Sequence, residues 1–294
     1  MYYRRKILLA LIEAFGGKLS NTYFQKILFL YSLGQEKPSY EFVPYSFGPF
    51  SFQSYADRRT LIKYNILENT PHGWYFTGTH NYIDELTIKD KELIFEIRNK
   101  YKSFSLNKVL RHVYKEYPYY AIKSSIKEKI LGTDAVSDTE KRELISSKSG
   151  LFTIGYEGNS IEKYLNKLIL NDIKILIDVR RNPISMKYGF SKNQLKNYCN
   201  RLNILYLHFP QLGIESSKRT SLKTQDDYDL LFKEYENCML PQNIDKLEEI
   251  IKLVNMHNSV AITCFEAFHG QCHRGKISQT ISTMPNCNFE VNHI

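Results

Sequence analysis

The sequence has no apolar run of the ~18–20 residues that a membrane-spanning helix needs. It has five cysteines, an odd number without regular spacing, which favours reduced thiols over a disulfide framework. The first residues are basic and then apolar, but Glu13 interrupts the apolar stretch and no small-residue cleavage site follows. Internal repeats and low-complexity tracts are also missing. Together these absences predict a cytoplasmic protein without a membrane partner.

The composition is that of a folded protein with an uneven charge. Of the 294 residues, 43% are hydrophobic and 14% aromatic, which excludes general disorder, and the length allows two domains. The net charge is +9. Residues 1–150 hold 23 Lys and Arg against 16 Asp and Glu, whereas residues 151–294 hold 17 against 15. The basic excess in the first half predicts a nucleic-acid contact there. An ordinary basic surface is the alternative.

A polar stretch with Ser and Gly over residues 128–150 predicts a linker. We therefore expect a helical domain over residues 1–127 and a second domain over residues 151–294. In the first domain, apolar periodicity and break signals predict three helices and then two short strands around Thr70–Gly73, an order typical of a winged helix-turn-helix. The predicted helices are Arg4–Phe15, Tyr23–Leu33 and Ser51–Lys63, and two or three further helices are predicted to cover Asp84–Lys100 and Ser105–Lys127.

Winged helices often contact DNA through their third helix, which here carries Arg58, Arg59 and Lys63. Residues 21–31 and 40–51, with the pattern Pro-Tyr-x-x-Gly-Pro, resemble the Panacea-type domains of toxin–antitoxin systems and phage-encoded proteins. The resemblance covers roughly residues 1–75. It implies either a nucleic-acid contact or a protein–protein module, because fold alone does not fix function.

The second domain alternates strands and helices, which predicts an α/β fold with a Rossmann-like, mainly parallel sheet beside the mostly α N-terminal domain. The predicted strands are Leu151–Gly155, Ile173–Val179, Ile204–Phe209, Val260–Cys264 and Phe289–Val291. Parallel strands end at one edge of the sheet, where open α/β folds bind ligands. The residues expected to converge there are Tyr156, Asp178, Arg180, His208 and Cys264.

Chemically capable side chains are densest between Cys264 and Arg274, at a predicted strand-to-helix turn. Glu266 is the candidate general acid/base or nucleophile, with His273 and Arg274 near enough to set its pKa. Cys264 is either a nucleophile or a small buried apolar residue. A zinc site of Cys264, Cys272 and His273 is a further alternative, but their spacing is not that of a standard zinc knuckle and no fourth ligand is evident. We therefore predict neither a metal nor a cofactor.

Asp178 supplies a second carboxylate if it faces the site, and otherwise caps the turn that follows it. Arg180 is suited to bidentate binding of phosphate or carboxylate, with a salt bridge to Asp178 as the alternative. Ser185 and Lys187 lie in a loop that could close over the site. The predicted ligand-binding set is Tyr156, Arg180, Ser185, Lys187, His208 and Arg274, and the predicted catalytic set is Glu266, Asp178, Cys264 and His273.

Several ordered motifs resemble the family known as domain of unknown function 488. They are Thr-Ile-Gly-Tyr-Glu-Gly from residue 153, Ile-Asp-Val-Arg-Arg-Asn-Pro-Ile-Ser from residue 177, Leu-Gly at 212, and Cys-Phe-Glu with Cys-His-Arg from residues 264 and 272. The resemblance covers about residues 150–285. It implies a Rossmann-like domain whose active site is built from these motifs, without fixing a reaction. The family often has Arg where Lys187 stands, which keeps the charge but not the bidentate geometry.

These observations predict an enzyme directed at nucleic acid or a nucleotide, cleaving a glycosidic or phosphoester bond with a carboxylate beside fixed cations. The alternative is a non-catalytic sensor of a nucleotide or modified base that regulates through DNA binding. The expected partners are nucleic acid and a nucleotide or other small molecule, with a protein partner of the N-terminal domain as a further option.

Overall fold

The computed structural model describes residues 1–76, 78–132, 148–215 and 224–294. The chain forms two compact units, Met1–Leu144 and Ile145–Ile294. Of the predicted linker 128–150, residues 133–147 lie outside the described residues, and Gly150 begins a strand. Among the described helices, none is both long enough and apolar enough to cross a membrane.

The N-terminal unit is mostly helical, and serine side chains begin several of its helices. Ser20 accepts a hydrogen bond from the Tyr23 backbone N–H and Ser51 accepts one from Ser54, so both act as N-caps. Within the stretch 105–127, for which helical structure was predicted, the helix ends at Glu116, because Pro118 cannot continue it. The helices are α1 (Tyr3–Ala14), α2 (Asn21–Gly34), α3 (Phe52–Lys63), α4 (Ile88–Tyr101), α5 (Leu106–Glu116) and α6 (Lys127–Leu131).

Four short strands accompany these helices: β1 (Lys18–Ser20), β2 (Val43–Tyr45), β3 (Gly48–Phe50) and β4 (Gly73–Tyr75). β2 pairs antiparallel with β3, and β4 pairs antiparallel with β1. Of the two short strands predicted around 70–73, the second forms as β4. The segment before it is not a strand, although the Glu68 N–H donates to the Tyr75 carbonyl at 3.0 Å. Arg58 donates from Nη2 to the carbonyls of Thr70 and Gly73, so a side chain of α3 holds the turn between the two segments.

The C-terminal unit contains a five-stranded, all-parallel sheet, which confirms the predicted Rossmann-like α/β fold. Its strands are β5 (Gly150–Gly155), β6 (Ile175–Asp178), β7 (Leu205–His208), β8 (Ser259–Cys264) and β9 (Val291–His293), in the order β7-β6-β8-β5-β9. Its helices are α7 (Ile161–Leu170), α8 (Lys192–Arg201), α9 (Gln225–Glu234), α10 (Leu240–Gln242), α11 (Ile244–His257) and α12 (His273–Thr283), with a π-turn at Tyr235–Met239 before α10.

The register of the sheet places the ends of the strands that bear candidate site residues next to one another. Cys264 on β8 is paired with Gly155 on β5, and Asp178 on β6 is paired with Thr263 on β8. β8 lies in the sheet between β5 and β6, although it begins 81 residues after the end of β6 (259 − 178). All three strands are buried along their length, as expected for a parallel sheet covered on both faces.

Candidate functional site

Four side chains that can bind a metal or exchange protons meet beyond the end of β8. The carboxylate Oε2 of Glu266 lies 3.1 Å from Cys264 Sγ and 2.9 Å from Cys272 Sγ. His273 Nδ1 lies 3.5 Å from Cys264 Sγ and 3.8 Å from Cys272 Sγ. One potential ligand atom from each residue lies within 4.8 Å of all the others. We call Cys264, Glu266, Cys272 and His273 the thiol cluster.

Both thiols and the imidazole of the thiol cluster are almost wholly buried, and Glu266 is partly exposed. His273 Nε2 donates to the backbone carbonyl of Val179 at 3.1 Å, since a carbonyl can only accept. In a neutral ring this places the unprotonated nitrogen, Nδ1, toward the sulfurs. Burial raises the pKa of the Cys272 thiol well above its usual range, and the neighbouring Cys264 thiol raises it further.

Asp178 and Arg180 form a buried ion pair. Asp178 Oδ1 accepts from the backbone N–H and Nε of Arg180, and Oδ2 accepts from Arg180 Nη2 and from the Tyr206 hydroxyl at 2.6 Å. Arg180 Nη1 donates to the Tyr156 hydroxyl at 3.0 Å. Burial opposes the charge on Arg180, but the hydrogen bonds and charge of Asp178 outweigh it and raise the pKa of the guanidinium. Asp178 thus takes the position of a turn cap and salt-bridge partner.

A cavity of about 200 Å³ opens at this edge of the sheet. Arg180 and Cys264 line it, whereas Asp178, Glu266 and Arg274 do not. The Asp178 carboxylate bonds Arg180 from within the fold, and Glu266 contacts the thiols. The full lining is Tyr156, Arg180, Arg181, Asn182, Ile184, Ile214, Cys264, Phe265 and His273.

Arg274 holds the loop between β8 and α12. Its Nη2 donates to the Ala267 carbonyl at 2.8 Å and its Nη1 to the Glu266 carbonyl. The same loop passes so close to the end of β5 that a Cβ on Gly155 would lie 1.8 Å from the Glu266 carbonyl oxygen. Arg274 therefore positions Glu266 through the backbone, and Gly155 leaves the space that this position needs.

The remaining predicted ligand residues have contacts within the fold. Ser185 Oγ accepts from the Lys187 backbone N–H, and Lys187 Nζ donates to the Tyr156 carbonyl at 3.1 Å. His208 Nε2 donates to the Arg180 carbonyl, and its Nδ1 lies 2.9 Å from Lys192 Nζ. The Tyr156 ring stacks on Phe190 at 4.4 Å. These contacts fix the loops around the cavity.

Sequence reasoning missed Arg181, Asn182 and Tyr206. Arg181 and Asn182 are exposed and line the cavity, whereas Tyr206 bonds Asp178 from the neighbouring strand. The signal for Arg181 and Asn182 was present, because they follow β6 directly in the turn where parallel sheets place ligand contacts. Tyr206 gave no such signal, since it lies inside a strand.

In the N-terminal unit, the three predicted nucleic-acid contacts have different surroundings. Arg58 is partly buried, bonds the carbonyls of Thr70 and Gly73, and lies over the Trp74 ring at 5.6 Å. Burial lowers the pKa of its guanidinium. Arg59 and Lys63 are exposed on α3. Arg58 thus stabilises the fold, while the other two present charge to solvent.

The C-terminal unit is an α/β protein with a buried group of thiols, imidazole and carboxylate at the carboxyl edge of its sheet. Its residues 160–281 match the model of a family described as Domain of unknown function DUF488, which confirms the resemblance seen in the sequence motifs of this half. The match includes Asp178, Arg180 and the whole thiol cluster. No curated protein and no solved structure matches the chain.

Proposed function

We propose that the C-terminal unit is a hydrolase that binds a nucleotide, free or within a nucleic acid, and cleaves a glycosidic or phosphoester bond. One observation carries the proposal. A single cavity has the cation of Arg181 and the amide of Asn182 in its wall together with Cys264 and His273 of the thiol cluster. Groups that can bind an anion therefore line the same cavity as a thiol and an imidazole that can take part in a reaction.

The cavity offers both parts of a nucleotide a suitable contact. Arg181 is 3.6 Å from Glu215 in an exposed pair, and such pairs are weak enough to be exchanged for a phosphate. Ile184 and Phe265, at the same cavity, expose 76% and 43% of their surface. A flat aromatic base can stack on Phe265 and cover this apolar surface. The cavity thus offers Arg181 as a contact for the phosphate and Phe265 as a contact for the base.

Glu266 is the group proposed to move the proton. Asp178 is fully engaged with Arg180 and Tyr206, so its carboxylate is held by the fold. Glu266 is partly exposed and lies at hydrogen-bond distance from both thiols. In the proposed reaction water adds to the phosphorus or to the sugar carbon as the bond to the leaving group breaks, and Glu266 takes a proton from that water and passes it to the leaving group.

The test is incubation of the full chain with nucleotides, single-stranded and duplex DNA, and RNA, followed by mass analysis of the products. We expect Glu266→Gln to lower turnover by about 10²–10⁴-fold, the usual contribution of acid–base catalysis. Arg181→Ala should raise KM with less effect on turnover. Glu248→Gln, on the exposed surface of α11, is the matched control and should behave as wild type. Binding without any product would favour the non-catalytic sensor.

We further propose that the N-terminal unit contacts nucleic acid through α3 in the manner of a winged helix. The supporting observation is that Arg59 and Lys63 are exposed on this helix while Arg58 holds the adjoining segment in place. The unit also carries most of the chain's basic excess. Phosphate contacts from such residues would make the binding strongly dependent on salt.

A further inference from the structure

We infer that the thiol cluster is a zinc site, in which Cys264, Glu266, Cys272 and His273 bind one Zn²⁺ with two sulfurs, one nitrogen and one oxygen. The four residues come from two elements and the loop between them: Cys264 ends β8, Glu266 lies in the loop, and Cys272 and His273 begin α12. Four-coordinate sites with these ligand types are the usual environment of zinc in proteins. The fourth ligand that the sequence spacing did not reveal is Glu266.

The distances agree with a tetrahedral site. Zinc bonds of 2.3 Å to sulfur and 2.0–2.2 Å to nitrogen or oxygen imply tetrahedral edges of about 3.5 Å from sulfur to nitrogen or oxygen. The edges between His273 Nδ1 and the two sulfurs are 3.5 and 3.8 Å. The edges between Glu266 Oε2 and the sulfurs are 3.1 and 2.9 Å. A shift of about half an ångström by the Glu266 side chain would complete the site.

The surroundings of His273 are those of a metal ligand. Its Nε2 donates to the Val179 carbonyl, which fixes the ring plane and leaves Nδ1 as the nitrogen with a lone pair. Metal-bound imidazoles generally donate their other N–H to a carbonyl or carboxylate in this way. The Tyr235 ring packs edge-on against the imidazole at 5.9 Å. The nitrogen that faces the sulfurs is therefore held ready to coordinate.

The backbone around the cluster is also held in place. Arg274 bonds the carbonyls of Glu266 and Ala267, and the Phe265 carbonyl accepts from the backbone N–H groups of Tyr156 and Glu157. Ala267 N–H in turn donates to the Glu157 carboxylate. A loop restrained from both ends loses little entropy when its side chains bind an ion. The site is thus largely formed before the metal enters.

The ligand set selects zinc over the common alternatives. Mg²⁺ and Ca²⁺ prefer oxygen ligands, whereas two thiolates and an imidazole suit zinc. A disulfide between Cys264 and Cys272 would make no use of Glu266 and His273, although both approach the sulfurs. Zinc binding releases the two thiol protons to solvent, and the two thiolates and the Glu266 carboxylate give the occupied site a net charge of −1.

Zinc binding does not rest on the proposed hydrolysis, but it would explain how that reaction proceeds. Glu266 is the least buried of the four ligands, whereas Cys264 and His273 reach the cavity wall. Because Glu266 is partly exposed, it is the ligand that water or substrate would replace on a bound Zn²⁺, with the other three ligands retained. A catalytic zinc site has this arrangement of three retained protein ligands and one exchangeable position.

The experiment measures metal in the full-length chain, purified under reducing conditions without chelator. Elemental analysis should find about one zinc per chain, released when a mercurial reagent blocks the thiols. The double variant Cys264→Ser with Cys272→Ser should lose the zinc, and Glu266→Gln should release it faster to a chelator. Cys238→Ser removes an exposed thiol and is the matched control, which should retain wild-type zinc.

A second measurement covers the case in which the double variant does not fold. Wild-type protein stripped of metal and given Co²⁺ should show thiolate-to-cobalt charge-transfer absorption and the visible bands of tetrahedral cobalt. Wild-type protein that holds no zinc and gives no such absorption would overturn the inference, as would a chain lighter by two hydrogens with Cys264 bonded to Cys272. A chain that binds zinc but hydrolyses none of the tested substrates would contradict only the proposed function. Hydrolysis by wild-type protein that holds no zinc and gives no cobalt absorption would contradict only the zinc site.

Discussion

At the scale of single residues, three buried charged side chains illustrate two different solutions to the cost of desolvation. Asp178 and Arg180 pair with each other and are further satisfied by Tyr206 and Tyr156. Lys26, in the N-terminal unit, is buried with its ammonium donating to the Pro49 carbonyl at 3.0 Å. Removing one partner of a buried ion pair destabilises the fold, because the other charge stays buried without a partner. A buried ammonium bonded only to a neutral carbonyl instead has a lowered pKa and loses its proton more readily.

Asp178→Ala should destabilise the C-terminal unit by about 3–5 kcal/mol, because it leaves the Arg180 charge buried without its partner. Asp172→Ala breaks an exposed pair with Lys174, and for such pairs the loss is about 1 kcal/mol or less. Asp172 also has a positive φ of 49°, so Asp172→Asn, which tolerates that backbone, is the better control. Urea denaturation followed by far-ultraviolet circular dichroism measures both. Equal stability of Asp178→Ala and the control would contradict the ion-pair account.

Burial lowers the pKa of Lys26 to about 7. The unfolded chain, with an ordinary lysine pKa of about 10.4, binds more protons between these two values, so the stability that Lys26 costs the fold is recovered as pH rises above 7. The slope is at most about 1.4 kcal/mol per pH unit. Lys26→Met removes this dependence on pH. The free energy of unfolding of the variant should exceed that of wild type by the largest amount at or below pH 7, and the difference should shrink toward pH 9.

The measurement for Lys26 uses Trp74, the single tryptophan of the chain, which is buried in the N-terminal unit and stacks on Phe24 at 4.1 Å. Its fluorescence during urea denaturation reports this unit. If the free energy of unfolding changes with pH in the same way for wild type and Lys26→Met between pH 6 and 9, Lys26 does not titrate in that range.

At the scale of elements, the helices and parallel strands could be predicted because their signals are local. Ser160 caps α7, and the apolar run around Ile175–Asp178 forms a buried strand as expected. The partner of β4 could not be predicted, because β1 lies more than fifty residues earlier in the chain. The hydrogen bonds from Arg58 to the Thr70 and Gly73 carbonyls also join parts of the chain that local signals do not connect. Likewise, the role of Glu266 toward both thiols depends on the path of a loop.

That loop path gives a prediction at Gly155. Gly155→Ala would place a Cβ 1.8 Å from the backbone oxygen of Glu266, so the loop must move and the thiol cluster must open. We expect a loss of stability of about 1–3 kcal/mol or more, together with loss of activity. Gly34→Ala is the control, since there the added methyl meets only the flexible end of the Leu93 side chain. An active Gly155→Ala variant with wild-type stability would show that the loop position does not matter.

At the scale of the whole molecule, the two units differ in charge and in the chemistry they carry. The basic excess lies in the first half of the sequence, while the thiol cluster and its cavity lie in the second. The proposed nucleic-acid contact therefore lies in one unit and the proposed hydrolysis in the other. The two activities should then respond to different substitutions.

The last prediction tests this separation through salt. Arg59→Ala with Lys63→Ala should weaken binding of the full chain to duplex DNA and lower the slope of log K against log salt by about 1 for each phosphate that is no longer neutralised. The matched control is Lys196→Ala with Lys252→Ala, which removes two exposed cations from the C-terminal unit and should leave the slope unchanged. Fluorescence anisotropy from low to moderate salt gives both slopes. If neither pair alters the slope, or if wild type binds no DNA at low salt, α3 is not a nucleic-acid contact, and the N-terminal unit is better explained as a protein-interaction module whose exposed cations only keep the surface charged.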